Sequence, residues 1–188
     1  MNRSGLSRRG FTLGALAGTA VTAACSNGVG SGGGSVIDAR VDTTLGSMYR
    51  TYPKTRNLAD KANGMLIMPA VTEAGLGIGG GYGQGALRIN ETTVDYYSVT
   101  QISWGLQAGA QQYSHVLFFM TEAALANFRS ASGWEASGQV EYVFADRGDG
   151  AAADTTTALA PVQAVVFGRA GLLLGATLNG AKYNRIIA

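Results

Sequence analysis

"EAGLGIGGGYGQGALRI", Glu73 to Ile89, places seven glycines within the eleven residues from Gly75 to Gly85. Such density suits a phosphate cradle, a linker, or a strand stripped of side chains for a reason. The cradle requires a helix. Gly75, Gly77 and Gly80 spell GxGxxG, and Asp95 stands near the acidic position that such sites place about 20 residues on. In that motif the glycines close a strand and open a helix whose N-terminus holds the pyrophosphate. Here Gly81, Gly83 and Gly85 would occupy the first helical turns, at about 1 kcal/mol each relative to alanine. No Gly-Lys-Ser/Thr follows, so a P-loop is absent. The residues disfavour a nucleotide site.

Parity separates the other two readings. Gly75, Gly77, Gly79, Gly81, Gly83 and Gly85 are odd-numbered, whereas Leu76, Ile78 and Tyr82 are even. A strand alternates its faces with period two. One face would be bare backbone and the other apolar. Glycine weakens a strand unless another element approaches closely. A linker has no reason to keep the period, and usually carries more serine. "GLQAGAQ" (Gly105, Gly109) and "GLLLGATLNG" (Gly171, Gly175) repeat the habit. The expected fold is therefore α+β: a single domain with a strongly curved antiparallel sheet or partly closed barrel.

The helices lie at its flanks. Ile37, Val41, Leu45, Met48 and Tyr52 recur at helical spacing, and Pro53 stops the run. A short helix is expected over Thr55 to Ala62, and another near 121–131, with Thr121 as its N-cap. "GMLIMPAV" reads as a buried strand ahead of the glycine-alternating one. "TTVDYYSVTQISWGLQAGAQQYSHVLFFM" reads as two or three strands. Further strands are expected over Gln139–Ala145, Val162–Phe167 and Leu172–Ile186, with a loop from Asp146 to Asp154.

Of 188 residues, 46% are apolar and only 14% charged, against the usual quarter. A core is available and disorder is excluded. The net charge of +2 is set by the N-terminus: Arg3, Arg8 and Arg9 are three of fourteen basic residues, and the remaining eleven face twelve acidic ones. No broad basic footprint for nucleic acid remains.

"SRRGFTLGALAGTAVTAAC", Ser7 to Cys25, combines an arginine pair, a moderately apolar stretch and small residues. This is the order of an export signal, and Ser7-Arg8-Arg9-Gly10-Phe11 resembles the twin-arginine type. Cys25 is the single cysteine. It follows Thr22-Ala23-Ala24, where a lipoprotein signal is cleaved, although a lipobox prefers Leu at the first of those places. "SNGVGSGGGS" follows, as a tether would. The expected organisation is an export signal over 1–24, a lipidated Cys25 with a Gly/Ser tether over 25–36, and a folded domain over 37–188. The alternative is a cysteine removed with the leader or left unmodified.

Candidate chemistry is sparse. His115 is the only histidine. Ser114 and Ser98 are the nearest nucleophiles, but no GxSxG elbow exists, and a core strand histidine is the simpler reading. Asp146, Asp149 and Asp154 lack the order and terminal Glu of an EF-hand. No metal-ligand spacing is found, and no cofactor is implied. Glu73, Glu135 and Glu141 would pair as acid and base only if the fold joined them. Arg50, Lys54, Arg56 and Lys61 fall within twelve positions. Such cations attract anionic lipid by about 1 kcal/mol each near a membrane; the alternative is a solvated helix face partly neutralised by Asp60.

"KANGMLIMPAVTEAGLGIGGGYGQGAL", "YYSVTQISWGLQAGAQQYSHVLFFMTEAALANFRSASGWE", "DTTT" and "GLLLGATLNGAKYNRI" closely resemble the SYLF domain, the lipid-binding or actin-binding domain of the Ysc-type proteins. The resemblance runs from about Val41 to Ile186, and Tyr96–Glu135 is its most specific part. It implies lipid association and no enzymatic activity. Eukaryotic relatives bind phosphoinositides and other anionic lipids, the lipid contact being attributed largely to an N-terminal basic amphipathic helix, and some bind or bundle actin filaments. By position that helix is Ile37–Tyr52, with Arg50, Lys54, Arg56 and Lys61. An exported bacterial protein meets no actin. The expected function is a membrane-anchored lipid-binding module of the bacterial envelope, facing the periplasm and associating with anionic phospholipid. A scaffolding lipoprotein with a protein partner, and a hydrolase using Ser114 or Ser98 with His115, are the alternatives.

Overall fold

The computed structural model describes residues 33–136, 140–142, 160–168, 171–172, 178 and 180–188. The export signal, Cys25 and the Asp146–Asp154 loop lie outside them. Three helices and seven strands are described: α1 (Gly33–Thr51), α2 (Thr55–Lys61), β1 (Gly64–Ile89), β2 (Thr92–Phe119), α3 (Glu122–Ser130), β3 (Trp134–Glu135), β4 (Val140–Tyr142), β5 (Val162–Gly168), β6 (Gly171–Leu172) and β7 (Lys182–Ile186). The strands form one sheet ordered β3-β7-β2-β5-β4, with β1 on β2 and β6 on β5. This is the expected α+β domain with a curved sheet.

Two details differ from the sequence reading. "GMLIMPAV" and the glycine-rich stretch are one strand of 26 residues, and the segment expected as two or three strands is one of 28. The ribbon bends without breaking because the ladder slips between Met68 and Val71, Gly75 and Gly77, and Leu87 and Arg88. Extra residues at such bulges turn a strand while pairing resumes beyond them. Secondly, β4 runs parallel to β5, so the sheet is not antiparallel throughout. A parallel pair needs a crossover connection, and no local pattern in the sequence announced one.

The first slip fixes the parity of the glycines. Leu66 and Met68 face one core and Met65 and Ile67 the other. The surplus residue at Pro69–Ala70 then moves the inward positions from even to odd, so Val71 and Leu87 share a core with Met68. The odd-numbered glycines lie between them on that inward face. A Cβ on Gly83 would stand 2.7 Å from the Ala70 carbonyl oxygen, and one on Gly85 would overlap the Ile67 carbonyl oxygen and the Met68 sulfur. The far end of β1 thus crosses directly over its own beginning.

Each face is sealed by a helix. The inward core joins Leu66, Leu87, Tyr97, Leu117 and Phe119 with Phe128 of α3 and Trp134. The Thr121 hydroxyl caps α3 as expected, accepting from the Ala124 N–H at 3.2 Å. The outward core sets Ile37, Val41, Leu45, Met48 and Tyr52 against Met65, Ile67, Val116, Phe118 and Val165. The helical spacing read from the sequence is this buried stripe. α1 begins at Gly33, inside the segment expected as tether.

Candidate functional site

The basic residues singled out from the sequence gather at one end of the molecule. Arg50 lies in the last turn of α1, Lys54 precedes α2, and Arg56 and Lys61 lie within it. All four are exposed. They reach solvent because the opposite side of α1 is occupied: Ile37, Val41, Leu45 and Met48, with Tyr52 just beyond the helix, are at most 8% exposed. The helix is amphipathic, but its apolar face is engaged with the sheet and unavailable to a bilayer. Charge, rather than greasy insertion of α1, is what this end offers.

Neighbouring contacts shape the patch. The Arg56 guanidinium lies 4.6 Å above the centre of the Tyr49 ring, a spacing at which cation and π-face attract. Tyr49 and Arg56 line a recess of about 280 Å³ with Asp60, Gly64, Arg88 and Glu91. Arg88 is tied to Asp42 at 2.7 Å. Two arginines and two carboxylates thus share the recess, which is electrically mixed. The cationic character belongs to the outer rim.

The remaining candidates separate. Gly75, Gly77 and Gly80 lie within β1 and open no helix, so the nucleotide reading fails on geometry. Asp95, the would-be ribose ligand, pairs with Arg129 at 3.4 Å and Arg185 at 3.6 Å. His115 is wholly buried, and its Nε2 is 2.8 Å from the Tyr183 hydroxyl. Ser114 points to the other face and donates to the Pro69 carbonyl oxygen at 2.5 Å. Adjacent strand residues cannot share a face, so a Ser114–His115 hydrolase is excluded. Ser98 shares the outward parity of Tyr96, away from His115 on the inward face. Glu73 lies in β1, while Glu135 and Glu141 sit in β3 and β4, at opposite ends of the strand order. Among the described residues no three His, Cys, Asp or Glu side chains cluster as metal ligands.

A polar chain, which no motif announced, runs into the curve of the ribbon. The Tyr113 hydroxyl lies 2.8 Å from Gln101 Oε1 and 3.1 Å from Glu73 Oε1, and Gln111 donates to Glu73 Oε2 at 2.8 Å. Burial, with the Glu73 charge beside it, pushes the Tyr113 hydroxyl far above the usual phenol range. Burial alone lowers His115 to about 3, so the ring is neutral. The chain runs from the exposed Gln111 inward to Tyr113 and Gln101, while the buried His115 Nδ1 has no hydrogen-bond partner. The only advance signal was the run of polar residues, Gln111 to His115, between apolar segments.

No helix among the described residues is long and apolar enough to cross a membrane, a statement that does not bear on strands. Residues 100–185 match the model of the Ysc84 family, described as Las17-binding protein actin regulator. The resemblance to the SYLF domain therefore holds over the stretch from mid-β2 to β7. The family is one of binding domains and is not a known enzyme family. The match begins after the basic cluster, which the family model does not reach. No curated protein matches the chain.

Proposed function

With its SYLF segment as premise, we propose that this protein is a membrane-anchored lipid-binding module of a bacterial cell envelope. Cys25, acylated after removal of the twin-arginine leader, holds the domain at the periplasm-facing bilayer. Arg50, Lys54, Arg56 and Lys61 then bring the surface of α1 and α2 onto anionic phospholipid. The observation that carries this reading is the division of labour on α1. Its apolar stripe from Ile37 to Met48 is buried against the sheet, and the four cations are left facing solvent around its end.

A patch of this kind attracts through screened charge. Full-length protein carrying Cys25→Ser is expected to co-sediment with vesicles containing phosphatidylserine, and to lose most of that binding between 0.1 and 0.5 M salt. Reversing all four residues to Glu is expected to weaken binding at least tenfold and to flatten the salt response. An unaltered salt response in the reversed variant refutes the patch as the lipid contact.

A further inference from the structure

We propose that the outward face of the ribbon bend, around Tyr82 and Ile102, is a second bilayer contact. It settles at the headgroup level without help from charge. The proposal rests on the lipid-binding reading and adds to it a site and an orientation.

Ile102 is 65% exposed and Tyr82 53%, the former among the most exposed large apolar residues described. Both lie on the outward face. Tyr82 pairs with Thr100 and Gly80 with Ile102, four and six residues along the ladder from the Ala86–Tyr96 pair that packs beneath α1. At about 3.3 Å per residue, these positions lie roughly 13 and 20 Å past Tyr96. The cover provided by α1 stops at Tyr96, because its first turn ends there. The Tyr96 hydroxyl donates to Asp38 at 2.8 Å, and a Cβ on Gly34 would stand 2.7 Å from it.

Composition selects the occupant. No charged residue occurs from Ala74 to Leu87 or from Tyr96 to Thr121, so nothing here is complementary to a charged protein surface. An exposed tyrosine beside an exposed isoleucine suits the bilayer interface, where one end of the ring is apolar and the other wet.

Chain geometry points the same way. The segment leading to Cys25 leaves from the start of α1, beside the bend. Seven residues separate Cys25 from Gly33, and the eight steps between them reach at most about 28 Å. The basic cluster lies at the other end of α1, whose 19 residues span about 28 Å. Contacts at both ends lay α1 along the bilayer plane, with the bend at the anchored end.

Nitroxide labels test this in full-length Cys25→Ser protein, placed singly at Ile102→Cys and Asn57→Cys and mixed with phosphatidylcholine vesicles containing phosphatidylserine. On binding, the label at 102 is expected to gain oxygen relaxation and lose relaxation by water-soluble nickel, while the label at 57 stays near the aqueous surface. Tyr82→Ser with Ile102→Ser is expected to weaken vesicle binding at least tenfold at 0.5 M salt. A label at 102 that stays aqueous in sedimented protein overturns the bend and leaves the basic patch standing. Shielding at 102 that grows with protein concentration and needs no vesicles overturns it in favour of a second copy of the chain. No sedimentation under any condition overturns both this contact and the lipid-binding reading.

Discussion

The ribbon of β1 and β2 changes direction at two places, and the two use opposite chemistry. At Ile89–Thr92 it reverses in a two-residue turn through Asn90 and Glu91, at φ of 50° and 66°. Neither is glycine, although this type I′ geometry is where glycine is ordinarily favoured. At Gly75–Gly85 the ribbon curves through seven glycines. Yet the glycines at positive φ among the described residues are Gly133 and Gly180. The glycine-rich stretch makes no use of the conformational freedom that glycine confers. It uses the missing Cβ, which lets one end of a strand lie on the backbone of the other. Glycine density in a sequence can therefore mark a crossing rather than a turn, and its parity tells which.

That distinction is broken most directly by refilling the face. Gly85→Ala is expected to have the largest effect, at least 4 kcal/mol by order of magnitude, because overpacking beyond the usual 1–3 kcal/mol here presses on backbone. Adding Met68→Ala removes the sulfur from the new methyl but leaves the Ile67 carbonyl, so rescue should be slight. Gly83→Ala should be intermediate, its Cβ meeting the Ala70 carbonyl at 2.7 Å. Gly80→Ala, with its nearest neighbour at 3.9 Å, should change the urea midpoint little. Equal losses at Gly85 and Gly80 would mean that the glycines serve flexibility after all.

The inward face at the base of the ribbon sharpens the contrast, since it carries bulk and a histidine where the far end carries none. His115, wholly buried with a folded value of about 3, has an unfolded value near 6.5. Between those limits the unfolded chain binds a proton that the folded chain refuses. Stability is therefore complete above about pH 6.5 and declines as pH falls toward 3. By pH 5, still above the range where most carboxylates titrate, the loss is about 2 kcal/mol. His115→Gln, which cannot titrate, should flatten the slope of unfolding free energy between pH 7 and 5. A slope that survives the substitution would place its source elsewhere.

What was legible in the sequence was periodic. The spacing from Ile37 to Tyr52 gave the buried stripe of α1, Thr121 the cap of α3, and the odd glycines a bare strand face. Each depends on neighbours a few residues apart. What was not legible depends on pairing across the chain. Nothing local joins Ile67 to Gly85, His115 to Tyr183, or Tyr113 to Glu73, so neither the crossing nor the interior polar chain was predicted. The basic cluster was legible as a set of residues, but the cover on the apolar side of the helix beside it was not. Spacing marks α1 as amphipathic without saying whether sheet or lipid covers its apolar side.

The smallest effect concerns the sharp turn. If crossings need glycine for its lack of bulk, the turn is where its backbone freedom is wanted and missing. Left-handed backbone costs a side-chain-bearing residue about 1–2 kcal/mol, less for Asn than for Glu, and glycine returns part of that as unfolded-state entropy. Glu91→Gly is therefore expected to stabilise the protein by about 0.5–1 kcal/mol. It also deletes a carboxylate from the recess that holds Arg56 and Arg88, so Glu91→Gln serves as the control for charge. A gain in urea midpoint shared by both variants would assign it to electrostatics. A gain confined to Glu91→Gly would show that the two reversals of this ribbon draw on different properties of the same amino acid.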